Sequence, residues 1–475
     1  MVDIIRFNKD YYSNVSLLDD ALQINENFDI VGRNIITAGK KAKLYFVDGF
    51  TKDMLMERII QFLMTAKAQD IEKLTSARDF ANRFIPYTET EVSGDLESVC
   101  SFCLSGALIM LMEGYSEAIV IDARTYPVRS IDEPEDEKVL RGAHDGFVET
   151  LIFNTALIRR RIRDTHLRME IFSIGKKSKT DVAMCYLTNA ADKKLVEKMR
   201  KKLNDIDINS LSMGQESLAE CLIKKQMYNP FPKIRYTERP DAAAACINEG
   251  NIIIITDTSP SAMIIPSGIF DFVQDTNDFY FPPVVGTYLR FIRLFVFGLN
   301  IFLTPLWFLL IKNPDIIPSW LEFIKIESPI NVPVIVQLLL SEVIIDALKL
   351  ASLNTPNSLS NSFSVIGALV LGEFAVSAKW MVPEVVLYMA YVAITNFAQP
   401  SYELGYAFKL LRMLNLILTA IFNLYGFIAA LLLGIILIST TKTVSEKSYL
   451  YPLIPFNGKA LGSLLVRKKI SNDNC

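Results

Sequence analysis

Histidine is nearly missing from this sequence: His144 and His166 are the only two in 475 residues. Zinc sites draw mostly on closely spaced histidine and cysteine. The six cysteines supply one such pair, Cys100 and Cys103 in "CSFC". A redox role needs an exposed thiol of low pKa, whereas "CSFCLSGALIMLM" is almost wholly apolar, so a buried helix turn is expected there and metal chemistry is not. Ser, His and Asp are nowhere grouped, and no glycine-rich phosphate loop precedes a lysine. No catalytic residue, cofactor site or metal ligand is therefore assigned, and the chain is expected not to be an enzyme. A strong charge bias is missing too: 49 Lys and Arg against 52 Asp and Glu give a net charge of −3. With no basic stripe interleaved with aromatics, a nucleic-acid partner is not expected. The start, "MVDIIRFNKDYYSNVS", lacks a basic segment followed by an apolar core. The expectation is that no signal is cleaved and that the N-terminal half stays in the cytosol, where unpaired cysteines are at home.

What is present is apolar length. Hydrophobic residues make up 51% of the chain and are unevenly placed. Up to about Phe281 charges occur throughout, whereas from Phe291 to Thr440 apolar runs of roughly 16 to 30 residues follow one another, long enough to cross a bilayer. The expected fold class is an α/β soluble N-terminal region in two subdomains, followed by an all-α polytopic membrane domain of about five transmembrane helices. The boundaries are drawn at 1–137 and 138–285 for the two subdomains, 286–441 for the membrane domain and 442–475 for a tail.

Within the soluble part, "AKLYFVDGF" (Ala42 to Phe50) and "EAIVIDAR" (Glu117 to Arg124) read as strands, and "NIIIITDTSPSAMIIP" (Asn251 to Pro266) reads as a hairpin. "TKDMLMERIIQFLMTAK" has helical periodicity, and "SVCSFCLSGALIMLMEG" is expected to be a dry core helix ending at Gly114. The acidic "SIDEPEDEK" (Ser130 to Lys138) reads as an exposed connection. Beyond it, "DGFVETLIFNTALIRRRIRDTHLRME" (Asp145 to Glu170) is expected to be one helix, with Arg159, Arg160, Arg161 and Arg163 near the end that favours cations. These arginines, with Glu238, Arg239 and Asp241 of "TERPD", are candidate contacts. Two partners stay open for them: an acidic patch on a neighbouring subunit, or ion pairs within the domain.

The first membrane run, Phe291 to Ile311, has Arg290 and Arg293 at its entry and Trp307 near its exit, which puts the soluble region on the cytosolic side. The others run from Val332 to Leu353, Ser364 to Ala378, Pro383 to Ala398 and Lys409 to Thr440. As one helix the last would be about 45 Å long, too long for a hydrocarbon core of about 30 Å. It must tilt, bend or fold back near Asn423, Tyr425 and Gly426. Five spans leave the basic tail outside, against the positive-inside rule, and six, with the last run split, is the alternative.

The second run contains "SEVIIDALKL", which puts Glu342, Asp346 and Lys349 on one helical face. About a dozen aliphatic residues worth roughly −0.3 to −0.6 kcal/mol each do not offset three ions costing up to about 2.5 to 3.5 kcal/mol each at a helix centre. The face must therefore turn toward protein, water or the interface. Three readings follow: an ion pair of Glu342 or Asp346 with Lys349, a cation pathway lined by these acids and Glu373, or an amphipathic helix lying in the interface. Three acids against one lysine favour the pathway.

Two soluble segments, "RGAHDGFVETLIFNTALIRRRIRDTHLRME" and "YTERPDAAAACINEGNIIIITDTSPSAMIIP", resemble the signature regions of the spore germination A-subunit family (GerA family). The likeness continues through "GTYLRFIRLF", "NPDIIP", "SFSVIGALVLGEFAV", "QPSYELGYAFKLLR" and "PFNGKAL". "FPKIRYTERPD", "DTSPSAMIIP" and "YLYPLIPFNGKAL" resemble a sporulation branch of that family more than its nutrient-receptor subunits. The resemblance implies a protein of the spore inner membrane with its soluble domain facing the core. It also implies a membrane domain that assembles as a homo-oligomeric ring into a cation channel acting in germination. The partners it implies are the lipid bilayer, other germination membrane proteins and a small membrane partner. The alternatives are a nutrient germinant receptor A subunit and, from another class, a non-conducting scaffold.

Overall fold

A computed structural model of the protein describes residues 5–51, 53–71, 74, 76–87, 89–124, 137–223, 228–353 and 370–467. The chain divides into two compact units, Met1–Lys225 with Ile234–Pro266, and Gln226–Lys233 with Ser267–Cys475.

The first unit holds the same arrangement twice. Its first half runs α1 (Tyr11–Leu22), β1 (Ile30–Thr37), β2 (Lys40–Val47), α2 (Asp53–Thr65), α3 (Ala77–Phe84), β3 (Thr90–Ser93), α4 (Leu96–Leu104), β4 (Leu108–Met112) and β5 (Ala118–Ile121). The second half repeats it with α5 (Leu151–Arg161), β6 (Leu167–Ile174), β7 (Thr180–Leu187), α6 (Lys193–Asn204), α7 (Gln215–Leu222), β8 (Arg235–Thr237), α8 (Pro240–Asn248), β9 (Ile252–Thr256) and β10 (Ala262–Ile265). The sheets have matching strand orders, β1-β2-β4-β5-β3 and β6-β7-β9-β10-β8, and their pairs are antiparallel. In the first sheet Ile109 and Leu111 pack with α1 and α4, while Leu108, Met110 and Met112 pack with α2 and α3. A central strand covered on both faces must be apolar at every position.

That requirement explains a correction. The helix expected over Ser98 to Gly114 ends at Leu104, the chain turns at Gly106 with φ +101°, and "LIMLM" is the buried strand β4. A short continuous apolar run reads the same way in a buried strand as in a buried helix. Likewise, the helix expected over Asp145 to Glu170 is confined to α5, and the chain from Leu167 is strand β6. The 251–266 hairpin is present as β9 and β10, with Ala262 opposite Ile255. Of the acidic connection, residues 130–136 lie outside the described residues.

The halves are clasped together. The Phe28 amide donates to the Met169 carbonyl (3.2 Å), the Met169 amide donates to Asn27 Oδ1 (3.0 Å), and Phe28 packs into the core of the second half. Ala156 of α5 belongs in turn to the core of the first.

The second unit is helical: α9 (Pro283–Lys312), α10 (Val334–Leu353), α11 (Pro383–Phe397), α12 (Tyr402–Phe422), α13 (Leu424–Thr440) and α14 (Gly458–Leu465). Among the described residues, α9 and α12 are the two helices both long and apolar enough to cross a membrane, and α13 is a shorter apolar one. They run parallel, with Phe297 against Phe408 (4.6 Å between ring centroids) and the Asn313 and Asn423 side chains exchanging two hydrogen bonds of 2.7 Å. α11 runs against α9, since Trp307 meets Tyr388 (4.4 Å) and Asn300 meets Asn396 (3.0 Å). The run Lys409 to Thr440 folds back. α12 ends at Asn423 (φ 55°), and a Cβ on Gly426 would fall 1.9 Å from the Leu418 carbonyl oxygen, an approach open only to glycine. Gly434 lies opposite Leu411, so α13 descends along α12. Of the Ser364 to Ala378 run, residues 364–369 lie outside the described residues; beyond them come a π-turn (Val370–Phe374) and a single helical turn (Ala375–Ser377).

Candidate functional site

Helix α12 carries Lys409, Arg412, Asn415 and Thr419 at spacings of three, three and four, so all four lie on one face. Opposite stands α10, running antiparallel, since Arg412 meets Glu342 and Lys409 meets Asp346. Arg412 grips Glu342 with two parallel bonds, Nε to Oε1 at 2.8 Å and Nη2 to Oε2 at 3.0 Å. Its Nη1 donates to the Asn300 carbonyl (2.8 Å) and also to the Asn300 side chain, which in turn donates to Asn396 Oδ1 (3.0 Å). Lys409 Nζ donates to the Glu342 carbonyl (2.9 Å) and lies 3.3 Å from Glu342 Oε2 and 2.5 Å from Asp346 Oδ2. One hydrogen-bonded line thus ties α11, α9, α12 and α10 together.

The electrostatics explain why the line is continuous. The Glu342 and Arg412 side chains have no exposure at all, so each would be very costly if it lost the other. The two-pronged guanidinium–carboxylate geometry is the strongest form such a pair takes. Two cations, Lys409 and Arg412, meet two acids, Glu342 and Asp346, and the cluster balances. Asp346 differs from Glu342 in being one-third exposed, and its Oδ1 has no hydrogen-bond partner. The balanced core therefore ends, on the flank of the helices, in a half-satisfied carboxylate. Lys349 lies with its Nζ 5.4 Å from the centre of the Tyr406 ring. Glu373 is exposed on the π-turn.

The structure thus brings Glu342 and Asp346 together, and the cations facing them include two that the charge count of α10 omitted. The count of three acids against one lysine is corrected to a balance by Lys409 and Arg412. The polar stripe on α12 was the available signal, masked because "KLLRMLNLIL" reads as the basic edge of an apolar run.

The arginine cluster of the first unit finds partners within the chain. Arg159 is fully buried and makes a two-pronged pair with Asp29 of the first half (2.9 and 3.0 Å). Arg161 pairs with Asp145 (2.6 Å), while Arg160 and Arg163 are exposed. Arg239 is buried against Asp241 (2.7 Å) and donates to the Ala143 carbonyl (2.8 Å), and the Glu238 carbonyl accepts from the Phe147 amide (2.8 Å). Cys100 and Cys103 are both buried on α4. Burial pushes the Cys100 thiol up to about 12 and the Cys103 thiol up as well, away from the depressed values of reactive thiols.

A model of the Bacillus/Clostridium GerA spore germination protein family matches residues 18–474. Stage V sporulation protein AF of Bacillus subtilis is 37% identical over 462 residues, 97% of this chain and 92% of that one. Spore germination protein B1 of the same organism is 27% identical over 467 residues, 98% of this chain and 95% of that one. Among solved structures, the N-terminal domain of the A subunit of the Bacillus megaterium spore germinant receptor GerK3 is 23% identical with a TM-score of 0.39, covering 55% of this chain and 96% of that one.

Proposed function

Because the chain belongs to the GerA spore germination protein family, we propose that it is a multi-pass subunit of the spore inner membrane. Several copies together would pass monovalent cations during germination, without catalysing a reaction. The soluble unit faces the core, and other germination membrane proteins, among them a small membrane subunit, are its partners.

The helix directions support six crossings. α9 and α12 run one way and α10, α11 and α13 the other. α10 and α11 run the same way, so we count the apolar Ser364 to Ala378 run, on its sequence, as a further crossing. Six crossings bring the basic tail back to the side where α9 starts. In keeping with this, the Arg290 guanidinium of α9 donates to the carbonyls of Ser463 (2.9 Å) and Leu464 (3.0 Å) in α14. A six-crossing arrangement would remove the conflict with the positive-inside rule.

The observation that supports the conducting role is Asp346, a carboxylate on α10 facing the membrane-compatible α12, with one oxygen on Lys409 and the other without a partner. Acidic groups so placed are what cation pathways use. Full-length protein in liposomes is expected to pass monovalent cations, and Asp346→Asn to lower that flux severalfold while assembly persists. A second reading, a non-conducting scaffold, is favoured by the complete pairing of Glu342. Assembled protein that passes no ions would select it. Spores lacking the protein are expected to respond to every nutrient but release ions more slowly; loss of response to one nutrient would identify a nutrient receptor subunit.

A further inference from the structure

The duplicated fold provides an internal control for surface chemistry. α2 and α6 occupy the same place in the two halves, each following the second strand of its sheet. α2 carries Asp53, Glu57 and Arg58, whereas α6 carries six cations against the single acid Glu197. The fold at this position therefore does not call for a basic helix.

The buried side of α6 is Leu195, Val196, Met199 and Leu203, and Lys193, Lys194 and Lys201 are exposed on the other. The helix meets its local rules only in part: Asp192 caps it and Glu197 stands four residues from both Lys193 and Lys201, but other contacts oppose it. Lysines in the first turn oppose the dipole, and Lys194–Lys198 and Lys198–Lys202 are like-charge pairs at i, i+4 spacing. Arg200 is set apart by its bonds to Glu170. The β6–β7 turn adds Lys176, Lys177 and Lys179, all exposed. It is pinned near the C-terminal end of α6 by the Lys176 and Lys177 amides, which donate to the carbonyls of Ile208 (2.9 Å) and Asn209 (2.8 Å). Asp205 and Asp207 lie in the same segment, and Asp207 pairs with Lys176. Exposed Lys176, Lys177, Lys179, Lys193, Lys194 and Lys201 outnumber the exposed acids Asp192, Glu197, Asp205 and Asp207, leaving a net cationic face that the matching helix of the first half does not share.

We propose that this face, α6 with the β6–β7 turn, docks on anionic lipid headgroups. Two observations select lipid. Helices α9 and α12 of the same chain are membrane-compatible, so a tethered basic surface meets headgroups at high effective concentration. The exposed face of α6 and the turn, residues 176–179, also carry no aromatic side chain on which bases could stack.

The test is amine-reactive labelling, read by mass spectrometry, of the full-length protein in vesicles of phosphatidylcholine alone or with phosphatidylglycerol. Co-flotation with both vesicle types verifies insertion first; failure there would overturn the membrane reading and this one with it. On inserted protein, phosphatidylglycerol is expected to slow labelling of Lys193, Lys194, Lys201, Lys177 and Lys179 by about threefold or more, and added salt to restore it. Equal labelling in the two lipids overturns the docking while leaving ion passage untouched. Protection by added duplex DNA in phosphatidylcholine, with none from phosphatidylglycerol, overturns it in favour of nucleic acid.

Discussion

Arg412 and Glu342 face each other across two antiparallel helices with both side chains fully buried and both carboxylate oxygens engaged. Removing one member leaves the other charged in a dry site, a loss of about 3 to 5 kcal/mol for a buried pair. Arg412→Ala is expected to reduce folded protein recovered in mild detergent, as judged by size-exclusion profile. Joint replacement by Arg412→Met and Glu342→Leu should recover most of it. If the double variant fares no better than the single, the helices are held by the wider line through Asn300 and Lys409 and not by the pair itself.

Arg159 and Asp29 make the corresponding pair in the first unit, joining its two halves. Arg159→Ala is expected to destabilise that unit by about 3 to 5 kcal/mol. Because the clasp also includes Phe28 in the core of the second half, hydrogen exchange should rise on both sides of it, in α1 and β6 alike. A rise confined to α5 would contradict the clasp.

Gly426 allows the α12–α13 hairpin to close. A methyl group 1.9 Å from a backbone carbonyl oxygen cannot be absorbed by a rotamer change, so Gly426→Ala should cost about 1 to 3 kcal/mol or more. Gly298, around which a Cβ would meet nothing within 4 Å, is the control. Gly298→Ala should leave the melting temperature in detergent nearly unchanged while Gly426→Ala lowers it.

Thiol labelling separates the cysteines. Burial raises Cys100, Cys103 and Cys185, so native protein at neutral pH should react with maleimide at exposed Cys221 and not at these three. Prompt modification of Cys100 or Cys103 would reopen a redox role for "CSFC".

Glu170 gives an acid signature. Burial alone would raise its carboxyl, but hydrogen bonds from Arg200 and Tyr186 outweigh it and hold the group below its ordinary 4.5. A depressed carboxyl stabilises the fold fully above its unfolded value and loses that contribution as pH falls through the lower folded one. Stability of the full-length protein in detergent should therefore drop below about pH 4.5, and Glu170→Gln should flatten that part of the profile.

The two-part soluble region, the split near Asn423 and the family were legible because each leaves a local mark: strand-like runs, an over-long apolar stretch, and quoted motifs. The duplication was not legible. Its halves share topology while their surfaces diverge, as α2 and α6 illustrate, and no repeated motif survives to the eye. The partners of Glu342 were missed for a different reason. Periodicity shows which residues share a face of one helix, but Arg412 is 70 residues away from Glu342, and which faces meet is settled by packing between helices.

The clasp between the halves has a mechanical consequence. With Phe28 packed on one core, Ala156 in the other, and a dry Arg159–Asp29 bond between them, the two halves are joined by side-chain contacts as well as by the chain. A displacement of one sheet is then passed to the other through these contacts. Any signal received by one half of this unit would then be felt by the other.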